Sequence, residues 1–168
     1  MPGFLLEIWI SGRCPLLCTA RRLGARAGEG GPQILVIREG LMNLPLYLSE
    51  RRAGVNAGIA ELLKLLRLFV SSCILAEDWL IEDKFISLEG EDILFDPSGP
   101  SPKLVLRDSA AEGRFVPRFA QLCSELPANA DLIAEKLIQA DAEALMDKRA
   151  LLSFLAAWEY EISACLRH

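Results

Sequence analysis

The order of strand-like and helix-like segments predicts an α+β fold, with a small N-terminal antiparallel sheet followed by a mainly helical part. Short apolar, β-rich runs occur within residues 1–43, an amphipathic pattern covers residues 57–76, and helical patterns fill the chain beyond residue 115. With 168 residues, of which 52% are hydrophobic and 24% charged, the chain is long enough for one domain with a substantial core. We therefore expect a single domain over residues 1–168, β-rich at 1–43 and helical at 44–168.

Three strands and a loop are predicted in the β-rich part. Residues 4–10 are apolar and end at a Ser-Gly turn, which indicates a strand, and residues 15–20 could be its hairpin partner. The glycine-rich stretch 24–32 matches neither phosphate-binding glycine motif and lacks their lysine, so we interpret it as a surface loop. The continuous apolar run within 33–38 is typical of a strand buried on both faces.

A central helix dominates the helical part. From residue 57 to residue 76, apolar side chains recur every three or four positions, and Asn56 is a suitable N-cap. Further on, Pro97 and Gly99 mark a turn between two apolar runs, which predicts a hairpin at about 92–107. The remaining predicted elements are a short helix at 44–52, a strand-like piece at 84–87, and helices at 115–126, 129–140 and 148–166, the last capped by Asp147.

Charge is distributed unevenly along the chain. Residues 1–52 contain seven Lys/Arg and four Asp/Glu, a balance of +3, whereas residues 53–168 contain eleven and nineteen, a balance of −8. Eight acids and one lysine lie within residues 77–96, and such a run is typical of a solvated or interacting surface. The total of −5 argues against general nucleic-acid binding, because no basic excess is present to replace counterions around phosphates.

The scarcity of histidine excludes several kinds of catalytic site. The single histidine, His168, is the last residue, so Ser-His-Asp, Cys-His and histidine-metal chemistry are not expected. Cys14 and Cys18 have no second pair to complete a zinc site. Five scattered cysteines, no signal peptide and no membrane-spanning stretch predict a cytoplasmic chain with reduced thiols. Trp79 and Trp158 are expected in the core, and no cofactor is expected.

The middle of the chain resembles the lower lobe of a protein kinase without its catalytic residues. In kinases a long helix precedes the H-R-D motif, a short strand, a turn and a strand ending at D-F-G. The corresponding positions here hold Phe85, Ile86 and Ser87, then Asp92 in place of the metal-binding asparagine, and Arg107-Asp108-Ser109. Residues 36–39 supply an arginine instead of the V-A-I-K lysine. The resemblance therefore implies a protein that does not transfer phosphate.

A broader pattern is similar to a bacterial kinase-like domain often found N-terminal to forkhead-associated domains. That domain in turn is similar to the cytoplasmic pseudokinase-like domain of type VII secretion machinery. The resemblance covers the opening Pro2-Gly3-Phe4-Leu5-Leu6, a strand pair, residues 44–52, the long helix, residues 80–86 and the hairpin at Asp96-Pro97. It implies a degenerate kinase-like fold and a catalytically inactive scaffold in a bacterial signalling or secretion assembly.

Within that interpretation, we expect the acidic segment to bind a basic protein partner. The residues predicted to form this interaction surface are Glu82, Asp83, Glu89 and Glu91. Two alternatives remain open from the sequence. One is a nucleotide- or cation-binding sensor that uses Asp92, Asp96 and Asp108. The other is a small hydrolase or transferase with a site made only of carboxylates.

Overall fold

The computed structural model describes residues 1–23, 33–50, 55–126 and 130–165. These residues form an α+β arrangement of helices and small antiparallel sheets, which confirms the predicted class. The helices are α1 (Gly3–Ser11), α2 (Leu44–Glu50), α3 (Val55–Leu75), α4 (Phe115–Glu125), α5 (Ala130–Ala144) and α6 (Lys148–Cys165). The strands are β1 (Ala20–Leu23), β2 (Gln33–Val36), β3 (Met42–Asn43), β4 (Leu94–Asp96) and β5 (Gly99–Lys103), and 3₁₀ turns cover Ala76–Trp79, Asp83–Phe85 and Gly90–Asp92.

The chain opens with a helix, so the strand predicted at residues 4–10 is wrong. Leu5 and Trp9 are buried on one face of α1, four residues apart, and Trp9 donates a hydrogen bond from Nε1 to the Cys18 carbonyl oxygen at 2.8 Å. The helix ends at Gly12, whose φ of 65° is the left-handed conformation common after helices. A short apolar run fits a strand and a buried helix equally well, and only tertiary packing distinguishes them.

The small N-terminal sheet exists, but its strands differ from those predicted. β1 and β2 pair antiparallel, with Ala20 opposite Val36, so residues 20–23 and not 15–20 are the hairpin partner. Leu35 is 47% exposed, and β2 is therefore not buried on both faces as predicted. A two-stranded sheet has no second layer to cover its outer face. The predicted loop at 24–32 lies outside the described residues.

The central helix is confirmed, and it organises the core. Every residue of the predicted stripe on α3 is buried, and α3 packs against α6 and β5. Phe69 stacks on Phe119 of α4 with ring centroids 6.4 Å apart. The Asn56 side chain, predicted as the N-cap, lies outside the described side chains, as do residues 51–52 at the end of the short helix predicted at 44–52.

The hairpin is also confirmed, with a different register. β4 pairs with β5 so that Leu94 lies opposite Lys103, and β3 adds a third strand on the other side of β4. The predicted second strand at 103–107 leaves the hairpin: Leu104 bridges to Leu17, and Leu106 bridges to Ile86. The piece predicted as a strand at 84–87 begins instead as a 3₁₀ turn and contributes only this isolated bridge.

The three C-terminal helices follow the predicted order. Asp147 caps α6 as predicted, because its Oδ1 accepts a hydrogen bond from the Ala150 N–H at 2.7 Å. Arg114 at the start of α4 binds the buried Asp141 of α5 through two hydrogen bonds of 3.0 and 2.5 Å. Trp158 is buried as expected, whereas Trp79 is only half-buried. Among the described helices, none is both long and apolar enough to cross a bilayer.

Candidate functional site

Basic residues from several parts of the chain partly neutralise the acidic segment 77–96. Arg38, which follows β2, lies with its Nη2 2.5 Å from Oδ1 of Asp92. Lys84, within the segment, lies with its Nζ 2.7 Å from Oε2 of Glu82. Arg38 and Asp92 are 54 residues apart in the sequence and paired in space. With the local pair of Lys84 and Glu82, this makes the segment less acidic than its composition suggests.

Lys148 at the start of α6 is the best-shielded of these bases. Its side chain is only 12% exposed, and its Nζ lies 2.6 Å from Oε1 of Glu77 and 3.4 Å from Oδ2 of Asp83. The ammonium also lies 5.8 Å from the centre of the Phe115 ring. Lys148 thus joins α6 to two of the 3₁₀ turns, and the two carboxylates share its charge.

The four residues of the predicted interaction surface line separate depressions. Glu82 and Asp83 line a cavity of about 540 Å³ that also borders Leu80. Glu89 and Glu91 line a different groove of about 560 Å³, beside α4. A partner that contacts all four residues would therefore have to span two concavities.

The positions aligned with the kinase catalytic motif are buried. Phe85, Ile86 and Ser87 belong to the core, and the Ser87 hydroxyl donates a hydrogen bond to Asp92 Oδ2 at 2.7 Å. With Oδ1 on Arg38 and Oδ2 on Ser87, both carboxylate oxygens of Asp92 already have partners. In this arrangement Asp92 joins the β2 end of the chain to the segment before β4.

The residues named for a cation sensor do not assemble into a metal site. Asp96 accepts hydrogen bonds from the backbone and the hydroxyl of Ser98 at 2.8 and 2.6 Å, which closes the hairpin turn. These bonds lower the pKa of Asp96 below its ordinary value. Asp108 is exposed on the chain beyond Leu106. Within the described ranges, no group of three or more His, Cys, Asp or Glu side chains could hold a metal ion.

An exposed apolar surface surrounds Leu80, and we call it the Leu80 surface. Leu80 is 71% exposed, and Phe4 of α1, which lines the same cavity, is 49% exposed. A second cavity of about 530 Å³ lies on the other side of Leu80, lined in part by Ile8 and Trp79. Two hollows thus meet at one protruding leucine, and each has an apolar wall contributed by α1.

The backbone of Leu80 is in an uncommon conformation. Its φ is 57°, in the left-handed region, and its N–H donates to the Glu77 carbonyl oxygen at 2.9 Å to close the 3₁₀ turn. Among the described non-glycine residues, only Leu145 also has a positive φ, of 46°, and it is 73% exposed just after α5. For a residue with a Cβ this conformation costs roughly 1–2 kcal/mol, and glycine or asparagine is the usual occupant.

Acidic side chains rim the Leu80 surface. Two basic side chains, Arg13 and Lys148, line its two cavities, and Lys148 is already held between two carboxylates. The carboxylates that line the cavities are Glu7, Glu77, Asp78, Glu82 and Asp83. The cavity beside Leu145 has the opposite balance of charge, because four bases and two acids line it. The two exposed leucines therefore lie in different electrostatic surroundings.

Local sequence patterns do not identify the residues that make these surfaces distinctive. Leu80 sits between Trp79 and Ile81, and no local pattern separates an outward leucine from its partly or fully buried neighbours. A strand over residues 4–10 also puts Phe4 and Ile8 on one face, but about 13 Å apart, whereas one turn of α1 makes them neighbours. The detectable signal was the break in helical periodicity after Ala76, which indicates a turn where the chain changes direction.

The fold and its surfaces define an α+β protein with an apolar, acid-rimmed surface and a separate charged groove. Comparison of the chain with protein-family models, with curated proteins and with solved structures gave no match.

Proposed function

We propose that the chain is a catalytically inactive, kinase-like interaction module that binds a basic, apolar segment of a protein partner at the Leu80 surface. The observation that carries the proposal is Leu80 itself, a leucine that is 71% exposed while its backbone adopts a φ of 57°. Glycine would relieve the backbone and remove the exposed apolar area together. A leucine here is disfavoured on both counts in the isolated chain, and contact with a partner would offset them.

Charge supports the choice of partner. Five carboxylates and two bases line the cavities on both sides of Leu80. Lys148 pairs with Glu77 and Asp83. Glu82 and Glu7 pair with bases outside the lining, so Asp78 is the rim carboxylate that has no ion pair in the described ranges. In a segment with Lys or Arg beside an apolar residue, the base would contact the carboxylates around the cavities and the apolar side chain would pack on Leu80. Glu82 and Asp83, two of the four residues predicted for this role, belong to that rim.

The kinase-like part of the proposal draws on the arrangement around the central helix. α3 packs against β5 of the hairpin, and a small antiparallel sheet precedes them in the chain. Catalysis of phosphoryl transfer depends on charged groups that position and neutralise the phosphates. The aligned positions hold Phe85, Ile86 and Ser87, and all three are buried.

The cellular setting in the proposal is a bacterial signalling or secretion assembly in the cytoplasm. It follows from the family resemblance and from the cysteines. All five cysteines are free. Reduced thiols are the rule in compartments kept reducing by glutathione and thioredoxin.

A peptide selection tests the partner chemistry directly. A phage-displayed library of random dodecapeptides would be selected on the immobilised full chain, and bound sequences would be read out. We expect enrichment of peptides with Lys or Arg next to Leu, Ile, Phe or Trp. Their affinity, measured by fluorescence anisotropy, should fall roughly tenfold or more in the Leu80→Gly variant, the equivalent of about 1.4 kcal/mol.

The Leu145→Gly variant is the matched control, because it removes the second exposed leucine with a positive φ. It changes the backbone in the same way but leaves the acid-rimmed cavities intact. Enriched peptides should bind it as they bind the natural chain. Absence of enrichment, enrichment of acidic peptides, or equal losses in both variants would overturn the proposal.

Absence of phosphotransfer is tested separately. The chain would be incubated with radiolabelled ATP, Mg²⁺ and a generic acceptor protein. We expect no label above that of a heat-denatured sample. Saturable transfer to the acceptor or to the chain itself would refute the inactive assignment.

A further inference from the structure

The second candidate surface is the groove beside α4, which we call the charged groove. Its wall on the α4 side presents one face of that helix, with Arg118, Gln121, Leu122 and Glu125 at spacings of three and four. The opposite wall includes Leu88, Glu89 and Glu91. The charged groove shares Arg118 with the cavity beside Leu145. It shares no lining residue with the two cavities at Leu80, so it is distinct from the Leu80 surface.

Two arginines, Arg107 and Arg118, line the charged groove next to each other. Arg118 donates from Nη1 to the Asp83 carbonyl oxygen at 3.3 Å and from Nη2 to the Ile86 carbonyl oxygen at 3.2 Å. The backbone N–H of Arg107 donates to the carbonyl oxygen of Phe85, the neighbour of Ile86, at 2.7 Å. Both arginines are therefore fixed to the same short stretch of chain.

The electrostatics agree with this proximity. Burial lowers the pKa of Arg118, and the nearby positive charge of Arg107 lowers it further. Within the described part of the chain, neither guanidinium forms an ion pair with a carboxylate. The Asp83 carboxylate opposes this shift in the pKa of Arg118 without forming an ion pair with it, so the two cations lie close together and are only partly compensated.

The other end of the charged groove is acidic. Glu125 lies seven residues after Arg118 on α4, a rise of about 10 Å. Glu89 and Glu91 flank Gly90, and a Cβ built on Gly90 would lie 3.2 Å from Leu126 Cδ2 and 3.5 Å from Pro45 Cγ. This contact places the turn against the C-terminal end of α4, next to Glu125. None of these three glutamates forms an ion pair in the described ranges.

Opposite charges therefore line one groove and remain unpaired because they lie at its two ends. We propose that the charged groove binds a peptide segment that carries an acidic and a basic side chain about 10 Å apart, the acid against Arg107 and Arg118 and the base against Glu89, Glu91 and Glu125. A ligand with one kind of charge would be attracted at one end and repelled at the other. The buried side chains of Leu88 and Leu122 lie between the ends.

Polyproline II geometry matches this separation. Residues three apart in such a segment lie on the same side and are about 9 Å apart. The probe is therefore a fluorescein-labelled octapeptide with the sequence GGEPPRGG. Two comparison peptides, GGEPPEGG and GGRPPRGG, keep the backbone and change only the charges.

Fluorescence anisotropy with the full chain at low salt is the measurement. We expect the mixed peptide to bind more tightly than either comparison peptide, and its affinity to fall as salt is added. The Arg107→Glu variant should lose roughly fivefold or more in affinity for the mixed peptide, because Arg118 and the new glutamate leave that end of the groove without net positive charge. For the same reason, the all-basic peptide should be repelled less and gain affinity. Arg107 is chosen because its side chain makes no described hydrogen bond that its loss would break.

Arg21→Glu is the matched control, since it makes the same change of charge on the exposed β1, away from the groove. It should leave the preference among the three peptides unchanged. Failure of the mixed peptide to bind, equal binding of all three peptides, or equal effects of Arg21→Glu and Arg107→Glu would overturn the inference. Leu80→Gly should not affect this binding, so the outcome is independent of the partner proposed for the Leu80 surface.

Discussion

At the scale of single residues, Leu80 and Leu145 depart most clearly from local preference. Both follow a helical turn or helix in the position where a left-handed residue closes the end, and both donate their N–H back into it. Their side chains are mostly in water, at 71% and 73% exposure, so packing does not compensate for the backbone. A residue whose backbone conformation is disfavoured, and whose side chain makes no compensating contact, is a candidate for a functional site.

Substitution of either leucine by glycine should not destabilise the protein. Removal of the Cβ raises the free energy of unfolding by about 1–2 kcal/mol, because the left-handed backbone is no longer strained. The greater freedom of glycine in the unfolded chain lowers it by about 0.5–1 kcal/mol. We expect the free energy of unfolding of Leu80→Gly and Leu145→Gly to stay equal or to rise by up to about 1.5 kcal/mol, measured by urea denaturation. A loss of more than about 1 kcal/mol would mean that these side chains support the fold, contrary to their exposure.

Asp96 offers a test of turn chemistry at the same scale. The hydroxyl and the N–H of Ser98 hold its pKa below the ordinary value, so the turn is favoured above the unfolded pKa of about 3.9 and this contribution disappears as the pH falls through the lower folded pKa. In Ser98→Ala one donor is lost, and the pKa of Asp96 should rise toward the ordinary value. A carboxyl ¹³C NMR titration measures it, with Ser101→Ala as a control that should leave the Asp96 titration in place.

At the scale of elements, α3 lies at the centre of the structure. Its buried and its exposed leucines should differ sharply in how much their loss destabilises the fold. Leu63 is fully buried, whereas Leu75 at the end of the same helix is half-exposed. Leu63→Ala should lower the free energy of unfolding by about 2–5 kcal/mol, because it leaves a cavity, and Leu75→Ala by about 1 kcal/mol or less. Chemical denaturation of both variants checks the contrast. Similar losses would mean that the helix is not buried in this orientation.

Elements with a long periodic pattern were predictable, and short apolar runs were not. The pattern over 57–76 spans more than five helical turns, which gives enough positions to establish a period of 3.6 residues and so to predict α3. Residues 4–10 give too few positions to separate a period of two from a period of 3.6. A strand pattern does not identify the partner of the strand, and the prediction of residues 103–107 as the second hairpin strand is wrong beyond Lys103. Leu104 and Leu106 bridge to Leu17 and Ile86 instead.

At the scale of the whole molecule, folding redistributes the charge imbalance. Arg38 from the basic N-terminal part pairs with Asp92, and Lys148 and Arg149 of α6 lie near Glu77. Pairings across such sequence distances have no local signature, so the sequence could predict an acidic segment but not which acids stay unpaired. For the same reason it named Glu82, Asp83, Glu89 and Glu91 together and missed Leu80, Arg107 and Arg118.

Cysteine reactivity tests the integrity of the whole fold. Cys14, Cys18, Cys73 and Cys123 are buried and Cys165 is exposed at the end of α6. Burial raises the pKa of the Cys18, Cys73 and Cys123 thiols, which reduces the reactive thiolate further. With a thiol-reactive chromophore, the native protein should release the equivalent of one fast thiol, and denaturant should expose the other four.

The Cys165→Ser variant distinguishes this pattern from a loosely packed molecule. It should abolish the fast phase and leave four thiols that react only on unfolding, since each of the four is enclosed by the core that α3 organises. Because those four come from the segment after α1, from α3 and from α4, their common protection requires these parts to be closed at the same time. Any fast thiol in the variant would identify the part of the fold that opens alone, whereas four slow thiols would report the opening of the molecule as one unit.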